Sequence, residues 1–94
     1  MIRSFGDERT RRVFNRESVR GLPPEILRRA LRKLLLLDAA DEITDLRVPP
    51  GNRLEKLRGD LEGFWSIRIS DQGRIVFRWG EGGTHSVEIT DYHR

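Results

Sequence analysis

Cysteine is absent from this chain, which excludes disulfides and thiolate metal sites and leaves redox chemistry silent about the compartment. With His85 and His93 as its only imidazoles, a structural zinc site is not expected either, because such sites close on four nitrogen or sulfur ligands. Long apolar runs are missing as well. The longest, Leu34 to Leu37, falls far short of the roughly 20 residues that cross a bilayer. The opening Met1-Ile2-Arg3-Ser4-Phe5 lacks the apolar stretch of a secretory signal, so a soluble, cytoplasmic protein with no membrane partner is expected. No GxxxxGK[ST] or GxGxxG pattern follows a strand, and Gly80-Glu81-Gly82-Gly83 is acidic and reads as a hairpin loop. Internal repeats and low-complexity tracts are absent, and no cofactor is implied. A chain of 94 residues holds one small core, so a single domain over residues 1–94 is expected.

Lysine is also scarce, and that is informative. Of eighteen basic residues sixteen are arginine, whose planar fork pairs with phosphate through two parallel hydrogen bonds and stacks on bases. The net charge of +3 hides a segregation. Residues 1–34 carry ten basic against four acidic side chains, whereas residues 35–94 carry eight against eleven. A nucleic-acid partner is one reading of the basic half; solvated helix faces in an arginine-rich composition are the other.

Periodicity divides the chain into helices followed by strands. Met1 to Phe5 reads as a short strand, and Asp7 with Glu8 opens a basic helix ending near Asn15 or Arg16, its acidic start matched to the positive helix terminus. Gly21-Leu22-Pro23-Pro24 breaks the chain, and a second helix runs from about Pro24 to Leu37. There Ile26, Ala30 and Leu34 share one row and Leu27, Leu31 and Leu35 the next, an apolar stripe opposed by Glu25, Arg28, Arg29, Arg32 and Lys33. Ala39 to Leu46 is mixed and holds at most another helical turn, and Val48-Pro49-Pro50-Gly51-Asn52 is a loop.

From Arg53 onward the period becomes two. Trp65, Ile67 and Ile69 alternate with Ser66, Arg68 and Ser70, and Ile75, Phe77 and Trp79 alternate with Arg74, Val76 and Arg78. Ser70-Asp71-Gln72-Gly73 is the turn between them, with Gly73 free to take a positive φ, and the last strand covers Ser86 to Thr90. The fold class predicted is α+β, with N-terminal helices packed on a small, mainly antiparallel sheet.

Function is sought on the sheet face turned away from the core. Arg68, Arg74 and Arg78 share that face by alternation, and Arg58 precedes the strands in Leu57-Arg58-Gly59-Asp60. Like charges clustered on a sheet repel unless something negative lies against them. Glu55, Glu62 and Glu88 could supply that charge internally; an RNA backbone could supply it from outside. The closing Asp91-Tyr92-His93-Arg94 sets a carboxylate, a phenol, an imidazole and a guanidinium in a row after the alternation of Val87 and Ile89.

The stretch Pro49-Pro50-Gly51-Asn52-Arg53-Leu54-Glu55-Lys56-Leu57-Arg58-Gly59-Asp60, continued by Gly63-Phe64-Trp65-Ser66-Ile67-Arg68-Ile69 and Arg74-Ile75-Val76-Phe77-Arg78-Trp79, resembles the HigB (plasmid-maintenance killer) toxins of the RelE/ParE superfamily. The opening Met1 to Phe5 and the closing Asp91-Tyr92-His93 resemble that family's ends. The resemblance implies the RelE-like toxin fold and a toxin of a type II toxin–antitoxin system that enters the A site of the 70S ribosome and cuts mRNA. It also implies a helix-turn-helix, HigA-like antitoxin as partner, with operator DNA bound only through that antitoxin. By matching motif, the family's catalytic residues fall on Arg58, Arg74, Asp91, Tyr92 and His93. RNA contacts are expected from Arg68 and Arg78 on the strands and from Arg53 and Lys56 in the preceding stretch. The chain departs from the family in having Arg58 where lysine is commoner, Gly73 where many members have an aromatic residue, and Glu55 where some have histidine.

Metal-independent RNA cleavage uses the ribose 2′-hydroxyl against its own 3′-phosphate. It requires a proton removed, an anionic phosphorane stabilised and the leaving 5′-oxygen protonated. His93, with an ordinary pKa near ~6.5, is the side chain suited to exchange protons near neutrality, and it would serve as general acid or position the phosphate. Arg58 and Arg74 would hold the developing charge, Tyr92 would stack on a base or orient the nucleophile, and Asp91 would orient His93 or an arginine, or act as a weak base. Two rivals stand beside this reading. One is a ParE-like inhibitor of gyrase or another protein that cuts no RNA; the other is a non-catalytic RNA-binding domain.

Overall fold

A computed structural model describes residues 1–91 and places the helices on one side of a four-stranded antiparallel sheet. Helix α1 (Glu8–Phe14) starts where the Asp7 carboxylate accepts from the Thr10 N–H at 2.9 Å, satisfying one of the free donors of a helix start. Helix α2 (Pro24–Ala39) starts with proline in its first turn, where the missing N–H costs nothing. Three short 3₁₀ turns, Ile43–Arg47, Pro50–Asn52 and Gly59–Leu61, connect to the strands β1 (Glu55–Lys56), β2 (Phe64–Arg68), β3 (Gly73–Gly80) and β4 (Gly83–Asp91), which lie in chain order.

The core face of the sheet is the row Ile67, Ile75 and Ile89 together with Phe77 and Val87, each 5% exposed or less. Ala30, Leu34 and Leu37 of α2 pack against it, fully buried. The expected stripe on α2 is thus shifted at its end. Leu35 is 42% exposed and Leu37 takes the buried place, because the helix runs two residues beyond Leu37 and presents that later side chain to the sheet. Lys33, expected among the solvated charges, is half-buried and donates to the Asn52 side chain. Burial, with Arg32 adding to it, holds its ammonium below the usual range.

Residues 1–5 do not form a continuous strand. They meet β4 in parallel at two bridges, Ile2 with Thr84 and Phe5 with Val87. The last strand starts three residues earlier than expected, at Gly83. Gly83 has a φ of 136°, and a side chain there would run into the Met1 carbonyl. Gly73 does not take the positive φ expected of it. The β2–β3 turn is closed instead by its carbonyl accepting from the Ile69 and Ser70 N–H groups at 2.8 and 3.1 Å, and by the Ser70 hydroxyl accepting from the Gly73 N–H at 3.2 Å.

The outer edge of β4 is occupied from Thr84 to Ile89. Arg3 donates to the Thr84 carbonyl and Gly6 to that of Val87, while Thr84 and Val87 donate to Met1 and Ser4. Beyond Gly6, α1 takes over with side chains: the Ile89 N–H donates to the Thr10 hydroxyl at 2.8 Å, and the Arg9 guanidinium donates to the Ile89 carbonyl at 3.0 Å. Replacing Thr10, which is fully buried, by valine keeps the shape and leaves the Ile89 N–H without an acceptor. Urea unfolding of Thr10→Val is expected to show a loss of about 1–3 kcal/mol with an unchanged m-value; an unchanged midpoint would remove the hydroxyl from the edge's support.

At the exposed start of α1, the hydrogen bond from Arg11, reinforced by Arg12, lowers the Glu8 carboxyl from an ordinary 4.5 to about 2. Its lowered folded-state pKa means that this stabilisation is complete above 4.5 and is lost as pH falls toward 2. A carboxyl-detected NMR titration of Glu8 is expected to give a midpoint near the lower value, moving back up in Arg11→Gln. A midpoint at the ordinary value in the unaltered chain contradicts the pairing.

Candidate active site

On the other face of the sheet the register sets Glu55, Ser66, Val76 and Glu88 in one cross-strand row and Arg68, Arg74 and Thr90 in the next. This face is less open than alternation suggests. Ser66 is fully buried and Val76 is 6% exposed, because long side chains lie across the small ones. Arg74 makes this plain. Its Nε donates to the Ser66 hydroxyl at 2.8 Å, and Nη2 donates to the Arg53 carbonyl at 2.8 Å and to the Ser66 carbonyl at 3.3 Å. The side chain is 14% exposed, and the Glu55 carboxylate lies 3.6 Å from Nη2.

The Arg53 carbonyl is available because of the loop before it. Asn52 is fully buried; its amide donates to the Leu46 and Val48 carbonyls at 3.0 and 3.3 Å, and its side-chain oxygen accepts from Lys33. Arg53 follows in a left-handed conformation, φ 47°, which ends the 3₁₀ turn. A guanidinium held on three oxygens, two of them carbonyls, has lost its rotamer freedom in advance, as a group that must meet a phosphate in fixed geometry requires. Among the described residues its Nη1 makes no hydrogen bond.

Arg74 lines a cavity of about 350 Å³ together with Arg53, Arg68, Ser70 and Asp71. Arg68 is oriented within it by the Asp71 carboxylate and by the Ser70 carbonyl, which accepts from Nε at 3.1 Å. Of the expected site residues, Arg53, Arg68 and Arg74 are therefore brought together. Arg78 is exposed on the same face, opposite Phe64 and His85 in the register, and does not line the cavity. Arg58 is exposed at the start of the Gly59–Leu61 turn, also outside the lining. Lys56 lies on the opposite face, its ammonium 5.8 Å from the centre of the Trp65 ring.

The expected catalytic tail is met only at its start. Asp91 ends β4 opposite Gly73, so the chain arrives at the turn whose Ser70 and Asp71 border the cavity. Tyr92 and His93 lie outside the described residues.

Sequence reasoning passed over Ser66 and Asn52, the two residues that fix Arg74 and its loop. Ser66 could have been found by pairing the strands, since alternation already sets it on the arginine face; nothing in Pro49-Pro50-Gly51-Asn52 marks the buried role of the asparagine. Among the described residues, no group of three or more His, Asp or Glu side chains could hold a metal ion, and no helix is long and apolar enough to cross a membrane.

The chain is similar in sequence to proteins that bear on this arrangement. It is 42% identical over 83 residues to toxin HigB-1 of Vibrio cholerae, covering 87% of each chain. It is 32% identical over 93 residues to endoribonuclease HigB of Proteus vulgaris, covering 99% of this chain and 100% of that one. A family model described as the RelE-like toxin of the type II toxin–antitoxin system HigB matches residues 3–93. The arginine cleft on a small antiparallel sheet, with strand β4 delivering Asp91 beside it, thus stands in a chain that belongs to the HigB family of RelE-like toxins.

Proposed function

We propose that this protein is the toxin of a type II toxin–antitoxin pair and acts as an endoribonuclease that cuts mRNA in the ribosomal A site. Membership of the family carries the toxin role and an antitoxin partner, and a relative of nearly equal length is named an endoribonuclease. The observation that carries the site is the anchoring of Arg74. Three oxygens fix its guanidinium at the mouth of a cavity that Arg53 and Arg68 also line.

In this reading the whole of residues 1–94 is one toxin domain working in the cytoplasm. Arg74, with Arg58 of the Gly59–Leu61 turn as the second cation, stabilises the charge that grows on the nonbridging phosphate oxygens as the 2′-hydroxyl attacks. Arg53 and Arg68 hold the flanking phosphates, and Arg78 meets the strand beyond them. His93 gives its proton to the leaving 5′-oxygen, Tyr92 stacks on a splayed base, and Asp91 orients the imidazole. Strand β4 ends at Asp91 opposite Gly73, next to the turn whose Ser70 and Asp71 border the cleft. The antitoxin is a HigA-like helix-turn-helix protein, through which alone the pair meets operator DNA.

Mapping of 5′ ends on translated mRNA tests this reading. Arg74→Ala is expected to lower cutting by roughly 10²–10³-fold, as loss of a donor to a developing oxyanion does, and His93→Ala by roughly 10²–10⁴-fold. Omitting ribosomes should abolish the cuts. Arrest of translation or replication without new RNA ends would instead favour an inhibitor of the gyrase-binding kind.

A further inference from the structure

The arginine cleft does not end at Asp71. It shares Ser70 and Asp71 with a shallow depression of about 510 Å³ that Arg29 of α2 borders. That depression shares Ser70 and Gln72 with a cavity of about 300 Å³ walled by Leu22, Ile26, Ile69 and Ile89. Arg9 belongs both to this apolar-walled cavity and to a groove of about 740 Å³ edged by Arg12 and Arg20. Each stage therefore touches the next through a common residue, and each carries at least one arginine.

We propose that these depressions form one continuous track for an extended single-stranded RNA, running from Arg74 over the β2–β3 turn to helix α1. The proposal rests on the nuclease reading, since it sets the scissile phosphate at Arg74 and leads the rest of the strand away from it.

Charge selects a polyanion. Among the described residues, arginines line every stage of the path, with Glu55 beside Arg74 and Glu25 beside Arg29, and the lining itself holds two carboxylates, Asp71 and Glu8. Both are already engaged, Asp71 by Arg68 and Glu8 by Arg11 and Arg12. Arg29 is shared with Glu25 at 3.2 Å, an exposed pair that a phosphate can displace at little cost. Arg20 has no ion pair or hydrogen bond among the described residues. The alternation of arginine stages with an apolar-walled one selects a strand with charge along its backbone and flat apolar faces to the side, as unpaired RNA has. A uniformly acidic peptide would leave the Leu22, Ile26 and Ile69 walls unused.

Length separates the track from the cleft alone. A dodecamer, about 40 Å long even at the ~3.4 Å per nucleotide of a stacked strand, outreaches the molecule's longest dimension of 31 Å; a trinucleotide has two linking phosphates, fewer than the three arginines of the cleft, and leaves none for Arg12 and Arg20. Both are made as uncleavable 2′-O-methyl RNA. Dodecamer affinity is read by fluorescence anisotropy across a salt series, and trinucleotide affinity by NMR shift titration. In Arg12→Gln/Arg20→Gln the dodecamer should bind several-fold more weakly. The slope of log affinity on log salt should fall by about 1.4, the value for two phosphate contacts on a single strand. Trinucleotide binding should not change.

Equal loss for both lengths, an unaltered dodecamer affinity, or no dodecamer binding by the unaltered chain overturns the track. So does a double variant that loses affinity for the antitoxin alone, which would make the α1 groove a protein-docking surface. If Arg74→Ala abolishes cutting while the double variant binds the dodecamer normally, only the track falls. If the unaltered chain makes no new RNA ends on translated mRNA, the nuclease assignment falls with it.

Discussion

The outer edge of β4 is the constraint on which the rest of this structure hangs. A terminal strand with free N–H and C=O groups on one side is an open template for pairing. Here that side is filled, first by the backbone of residues 1–6 and then by the Thr10 and Arg9 side chains on Ile89. The same contacts fix α1 against the sheet and, through the α1–α2 packing, help to seat α2 over the core. What remains as an edge is β1, two residues long and both of them charged, which is a poor template. The sheet's second face is thereby left to carry the arginines without also having to hold the fold together.

Arg74 shows how that face is preorganised at a distance. Lys33 on α2 donates to Asn52, Asn52 ties the loop to Leu46 and Val48, and the loop turns the Arg53 carbonyl onto Arg74. A guanidinium in the sheet is thus indexed to a helix on the far side of the core. The desolvation that lowers the Lys33 pKa belongs to this relay, since an ammonium on the solvated side of α2 could not reach a buried amide. Glu55 is the tunable element. Largely exposed and 3.6 Å from Arg74, it offsets the arginine's charge weakly and leaves it available to a stronger anion.

The elements were legible in the sequence because each is written in local chemistry: the Asp7-Glu8 start, the proline break, the stripe of α2, and the alternation of Trp65-Ile67-Ile69 and Ile75-Phe77. Alternation also put Arg68 and Arg74 on one face, where the cleft formed. What escaped is tertiary. A five-residue segment touching a strand at two bridges has no periodicity to read. The exposed Leu35 and the buried Val76 differ from their neighbours only in what lies over them. Gly73 suggested a left-handed turn, but the Ser70 hydroxyl closes that turn without one. Lys56 was grouped with the cleft by its place in the motif, whereas its pairing opposite Trp65 turns it to the core side. The resemblance, which supplied the tail as a catalytic group, reaches residues that geometry here meets only as far as Asp91.

The pairing of the first six residues with β4 joins positions some eighty apart in the chain. Contacts of such high sequence separation close late in folding, after the loop between them has been ordered. During synthesis from the N-terminal side, that segment must therefore stay unpaired until β4 has emerged. The strand that completes the sheet is also the one that leads toward Asp91. Closing of the β4 edge and pairing of Arg74 with Thr90 across the strands are then one event, and the fold is complete only once that strand is in place.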